Sequence, residues 1–127
     1  WPQEGQIKEN ILNNNSIVAK LNYHNFSMLF TGDIEEIAEK EILYKYSKNL
    51  GVLKSDILKV AHHGSKNSTS SEFLQKVLPE QTIISCGQNN RYGHPHKETI
   101  HRLKSCHTKI KRTDTNGAVI FREKRDG

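Results

Sequence analysis

The sequence predicts an α/β fold, a β-sheet with helices packed on it, and three observations carry that expectation. Short runs rich in branched and aromatic residues recur at Phe26 to Phe30, Ile57 to Ala61 and Thr82 to Cys86. Each is closed by Gly or by polar turn residues, the pattern of buried strands. Between them lie segments whose apolar residues fall at helical spacing, and strands alternating with helices build a sheet with a helical layer.

Taken in order, residues 1–12 are weakly patterned and read as a lead-in to a single domain spanning 1–127. Asn13-Asn14-Asn15-Ser16 is turn chemistry, because short polar side chains bond their own backbone and tolerate left-handed geometry. Ile17 to Tyr23 reads as a strand, His24-Asn25 as a two-residue hairpin turn, and Phe26 to Phe30 as the returning partner. His24 is then a solvent-facing turn residue. Ile34 to Asn49 reads as a helix with Ile34, Ile37, Ala38, Ile42 and Tyr46 on one stripe. Glu35, Glu36 and Glu39 crowd its first turns, where the helix dipole favours negative charge, and read as a solvated face.

Gly51 ends that helix, and Ile57 to Ala61 is the next strand. Ser65 to Ser71 reads as an exposed loop, with Ser70 or Ser71 capping a helix from Glu72 to Val77 that Pro79 ends. After the strand Thr82 to Cys86, a Gly-, Pro- and Asn-rich loop runs from Gly87 to His96. A helix follows to about Cys106, and Thr108 to Arg112 and Ala118 to Arg122 are expected as strands around the turn Asp114 to Gly117.

Bulk properties set limits. A chain of 127 residues is one domain with a modest core. It is 34% hydrophobic and 26% charged, as soluble globular proteins are. No run approaches the ~18 apolar residues of a membrane span. Trp1 stands where an initiator Met would, which reads as the start of a piece of a longer chain. A net charge of +5 favours polyanions, nucleic acid first, although a Lys-rich surface kept for solubility explains it equally well. Cys86 and Cys106 lack CxxC spacing and read as small buried hydrophobes.

The chemistry-bearing residues gather after strands. Asp33, in Phe30-Thr31-Gly32-Asp33, and His62 and His63, in Ala61-His62-His63-Gly64-Ser65, follow the carboxyl ends of two strands, where α/β sheets collect ligands. A carboxylate with imidazoles suits Zn²⁺ or Mn²⁺. The competing reading makes Asp33 the cap of the following helix. Adjacent residues on extended backbone point to opposite sides, so His62 and His63 reach one ion together only if the chain turns sharply there. His62 is the expected ligand and His63 the group that contacts a phosphoryl oxygen or moves a proton; the reverse assignment stays open. Gly64 permits close backbone approach, and Ser65 orients an imidazole or contacts substrate. His101 and His107 read as surface residues, and Asp114 as a turn former.

Four blocks, FTGD, LKVAHHGSKNS, the NNRYGHPH of Asn89 to His96 and the RTDTNGAV of Arg112 to Val119, resemble in order the metallo-β-lactamase-type domain of ComEC-like competence proteins. They cover most of the chain from Asn13 onward. The resemblance implies one half of an αββα fold and a hydrolase acting on phosphodiesters through two metal ions, Zn²⁺ or Mn²⁺. It makes Asp33 the bridging ligand and places His94, Asn90 and Tyr92 at the rim, His94 on a phosphate oxygen or a metal-bound water. His96 reads more simply as a helix cap. It also implies DNA as substrate during competence uptake, in a soluble domain of a bacterial membrane-associated protein or in a stand-alone relative.

The HxHxDH motif that supplies most of that family's ligands is absent from this sequence, as is the family's further His between that motif and TGD. The chain therefore reads as the C-terminal half of a two-half domain, inactive alone and missing its N-terminal partner half. Self-association through the unpartnered face is a corollary. Two alternatives stand: a phosphodiesterase for another substrate, such as choline-phosphate esters, and a non-catalytic module that binds nucleic acid or a partner.

Overall fold

In a computed structural model that describes residues 8–122 and 124, five strands form one mixed sheet in the order β1-β2-β3-β4-β5. The strands are β1 (Ala19–Tyr23), β2 (Phe26–Phe30), β3 (Ile57–Lys59), β4 (Gln81–Ile84) and β5 (Lys109–Arg112). β1 and β2 are antiparallel, with Tyr23 opposite Phe26 and Ala19 opposite Phe30. The remaining neighbours run parallel, which the intervening helices make possible. His24, exposed and at φ 50°, turns the hairpin as expected.

The helices are α1 (Ile11–Asn14), α2 (Glu36–Lys45), α3 (Ser71–Val77), α4 (Lys97–Ser105) and α5 (Thr113–Asn116). Ile34, Ala38 and Ile42 are 0–1% exposed and form the expected stripe, while Ile37 turns outward at 37%. Ser70 caps α3, its hydroxyl accepting from the Phe73 amide. His101 and His107 lie on the surface, as expected. Neither cysteine is disulfide-bonded; both are half-buried against the core, and burial raises their thiol pKa values.

Side chains alternate across a sheet, so the register sorts its two faces. Leu29, Leu58 and Ile84 point toward the helices and join Val60, Phe73, Leu74, Val77 and Leu103 in one core. Leu21, Tyr23, Met28, Phe30 and Lys59 point the other way. On that open face Leu21, Tyr23 and Phe30 are 49%, 51% and 39% exposed. A groove of about 710 Å³ crosses its lower end, lined by Leu21, Tyr23, Phe26, Ile57 and Phe121 among others.

The structure corrects four expectations. No strand forms over Ala118 to Arg122: Thr113–Asn116 winds into a helical turn and Asn116 Oδ1 accepts the Arg112 amide, leading the chain away from β5. The lead-in is not uniformly irregular, since α1 begins at Ile11; its residues 1–7 lie outside the described ones. β3 stops at Lys59, and Ala61–Gly64 forms a tight turn. Glu39 is not on a solvated face. It is 1% exposed, and its carboxylate accepts the amides of Thr69 and Ser70.

Candidate functional site: a histidine-rich rim

Asp33, the His62-His63 pair and the Gly87–His96 loop follow β2, β3 and β4, so three parallel neighbours deliver them to one end of the sheet. The TGD turn is tied from the segment just before β1. Gly32 sits at φ +55°, and a Cβ there would lie 2.6 Å from Ser16 Cβ, so only glycine fits. Ser16 Oγ accepts the Asp33 amide at 3.0 Å, and buried Asn14 accepts the Glu35 amide at 2.9 Å. α2 starts only at Glu36, so Asp33 is not its cap and its carboxylate points to the rim, 44% exposed.

The turn after β3 is the unusual element. His62 (φ 47°), His63 (φ 55°) and Gly64 (φ +85°) are all left-handed in succession. β-Extended geometry, the basis for expecting opposed imidazoles, does not apply here. A Cβ on Gly64 would meet Pro95 Cβ at 2.6 Å, so the HHGS and GHPH motifs pack directly on each other. The Gly64 carbonyl accepts the His96 amide, and the Thr99 hydroxyl donates to the Ser65 carbonyl. Left-handed backbone at two non-glycine residues costs about 1–3 kcal/mol each, and these ties hold it in place.

The two histidines then face different carboxylates. His63 Nδ1 is 2.7 Å from the Ser85 carbonyl, which makes that nitrogen the proton-bearing donor, so in the neutral tautomer the lone pair is on Nε2. Nε2 lies 3.9 Å from Asp33 Oδ1. His62 Nδ1 is buried without a hydrogen bond, 3.8 Å from Glu35 Oε1. The His94 ring completes the group, with centroids 5.5 Å from His62 and 6.2 Å from His63. Burial lowers the His94 pKa, and the neighbouring His96, His62 and His63 lower it further while Asp33 opposes them, which favours the neutral ring. The pKa of half-buried Lys59 is also shifted down by desolvation, with the charge of Asp33 opposing.

The remaining rim residues divide between contact and support. Tyr92 is exposed. Asn90 is committed within its loop: Nδ2 donates to the Gly87 and His94 carbonyls and Oδ1 accepts the His94 amide. Ser65 is 4% exposed and faces inward. His96 occupies the N-cap position of α4, yet its ring ties loops: Nδ1 accepts the Lys66 amide and Nε2 lies 3.2 Å from the Tyr92 carbonyl. Asp114 shapes its turn through a 2.6 Å ion pair with Arg112. Among the described residues no three His, Cys, Asp or Glu side chains are arranged to hold one metal ion.

Sequence reading missed Glu35, Glu39 and Arg102. Arg102 donates to the carbonyls of Lys66, Ser68 and Thr69 while Glu39 accepts two amides of the same loop, so the segment after HHGS is clamped from both sides. Burial raises the Glu39 pKa, and the two amide bonds oppose that shift. Its place three residues before core Ile42 was the available signal.

The fold and the rim define an α/β domain with histidines and a carboxylate at the carboxyl ends of parallel strands. No family model matches the chain. It is 41% identical over 112 residues to ComE operon protein 3 of Bacillus subtilis, covering 88% of this chain and 14% of that protein. It is 36% identical over 109 residues to competence protein ComA of Neisseria gonorrhoeae (86% and 15%). To recombination protein 2 of Haemophilus influenzae it is 37% identical over 107 residues (84% and 13%). The chain is thus similar to one segment of each of these proteins, and spans 13–15% of their length.

Proposed function

We propose that the chain is one half of a metal-dependent phosphodiester hydrolase domain of the metallo-β-lactamase type, serving DNA handling in competence. The observation that carries this reading is the Asp33–His63 pair. The Ser85 carbonyl fixes the ring so that Nε2, the lone-pair nitrogen of the neutral tautomer, stands 3.9 Å from Asp33 Oδ1. Carbonyl-anchored imidazoles are the usual form of histidine metal ligands. This geometry favours Asp33 with His63 as the ligand pair, the reverse of the assignment expected from strand position. His62, with its unpartnered Nδ1 beside Glu35, is a second donor. A bound divalent cation would neutralise phosphoryl charge and acidify a water.

The chain's own residues do the rest. His94, its pKa lowered chiefly by burial, accepts or relays a proton at the rim. Asn90 and His96 hold the loop that carries His94, and Ser65 supports the histidine turn from inside. The donor set among the described residues is partial, and in this reading the missing half of the domain supplies the further ligands. The chain's open sheet face, with Leu21, Tyr23 and Phe30, suits the half that brings them, a second copy being the other candidate occupant.

The test is metal-dependent cleavage of bis-p-nitrophenyl phosphate and of single-stranded DNA by the full-length protein containing this chain. Asp33→Ala and His63→Ala should each abolish turnover, and the 127-residue chain alone should show none. Full activity of both variants would refute the reading.

A further inference from the structure

Tyr92 is 61% exposed on the loop after β4, an aromatic ring held at the lip of the site. It is not a loose side chain. Its ring lies nearly parallel to that of His94, 5.7 Å between centroids and 22° between planes. His94 lies equally parallel to His63 at 6.2 Å. Offset stacks fall in this range. The backbone beneath is fixed as well, by the Asn90 bonds and by His96 on the Tyr92 carbonyl. Arg91 completes the edge, its guanidinium 5.0 Å from the Tyr92 centroid and donating to the Tyr92 hydroxyl at 2.8 Å.

The result is a run of near-parallel rings, Tyr92, His94 and His63, flanked by the Arg91 guanidinium, that begins in solvent and ends beside Asp33. A pre-ordered aromatic surface next to a cation is how proteins hold unpaired bases without reading their sequence. Bases inside a duplex hide their faces and cannot use it. A quaternary ammonium also seeks aromatic rings, but the guanidinium against Tyr92 repels it. We propose that Tyr92 and Arg91 form a stacking platform for an unpaired nucleobase, so that the site takes single-stranded nucleic acid. The proposal rests on reading the adjacent Asp33–His63 pair as a phosphodiester site.

The test is fluorescence anisotropy of a labelled oligothymidylate against the full chain in EDTA, beside an abasic oligomer of equal length and a duplex. Oligothymidylate should bind more tightly than either. Tyr92→Ala should weaken it about 5- to 100-fold, to the abasic level, and Tyr92→Trp should retain it. Equal affinity for the oligothymidylate and the abasic oligomer, an unaffected Tyr92→Ala variant, or displacement by phosphocholine would overturn the proposal. Failure of the hydrolase reading is seen separately, as absent metal-dependent cleavage by the wild-type full-length protein, which binding in EDTA does not measure.

Discussion

The two faces of the sheet are built to different standards. Toward the helices, Leu58, Val60 and Ile84 are fully buried and packed against α3 and α4. Toward the other side, Leu21, Tyr23 and Phe30 stand 39–51% exposed, the first two lining a groove of about 710 Å³. A sheet finished on one side only is a stable platform with an unfilled contact surface. The rim at the strand ends belongs with the finished side, because almost every loop there is tied to another.

The largest expected effect breaks that contrast directly. Leu58→Ala removes a side chain with no exposure, and should cost about 2–5 kcal/mol in urea unfolding. Leu21→Ala, half in water already, should cost less than ~1 kcal/mol in the same chain. Equal losses would mean that the open face is covered. In the full-length protein the Leu21 cost should rise if another element seats there.

The rim gives the next two effects. Gly64→Ala places a Cβ 2.6 Å from Pro95 Cβ at φ +85°, and should cost about 1–3 kcal/mol while displacing the GHPH loop. Loss of the His94 ring shifts on His63 in NMR spectra would report that displacement. Glu39→Gln keeps the size but leaves one of the Thr69 and Ser70 amides facing an NH₂ group. A buried amide without an acceptor costs about 1–3 kcal/mol, and amide exchange at Thr69 and Ser70 should accelerate. A Glu39→Gln protein as stable as the wild type would show that the carboxyl is already protonated there.

Which parts of this were legible follows from how local the cause is. β2, β4, α3 and α4 came from period and caps because their own side chains decide them. The left-handed His62-His63 turn was not legible, since neither residue favours it and the ties come from Ser85, Pro95 and Thr99. For the same reason the burial of Ser65 and the bonds of Asn90 within its loop were not legible: residue type leaves Ser65 to orient an imidazole or contact substrate, and resemblance alone places Asn90 at the rim. The expected last strand failed because Ala118 to Arg122 has strand composition but no neighbour in the ladder.

The smallest effect separates the two ends of the sheet. At the end away from the histidines, Asp56 Oδ2 accepts the Ser27 hydroxyl at 2.7 Å and the Ser27 amide at 2.6 Å, pinning β3 to β2. The Ser27 hydroxyl bond, opposed by some desolvation and aided by the amide, holds the Asp56 pKa below its usual 3.8. A carboxylate depressed in the fold binds protons more readily when unfolded, so its stabilisation is present above about 3.8 and is lost as pH falls through the lowered value. Ser27→Ala removes the hydroxyl and keeps the amide, so about 1 kcal/mol should disappear at neutral pH. Its melting temperature should also fall less steeply than the wild type's between pH 4 and pH 2.5. Parallel acid profiles for the two proteins would show that this pin contributes nothing, and that the lower end of the sheet is held by its backbone ladder alone.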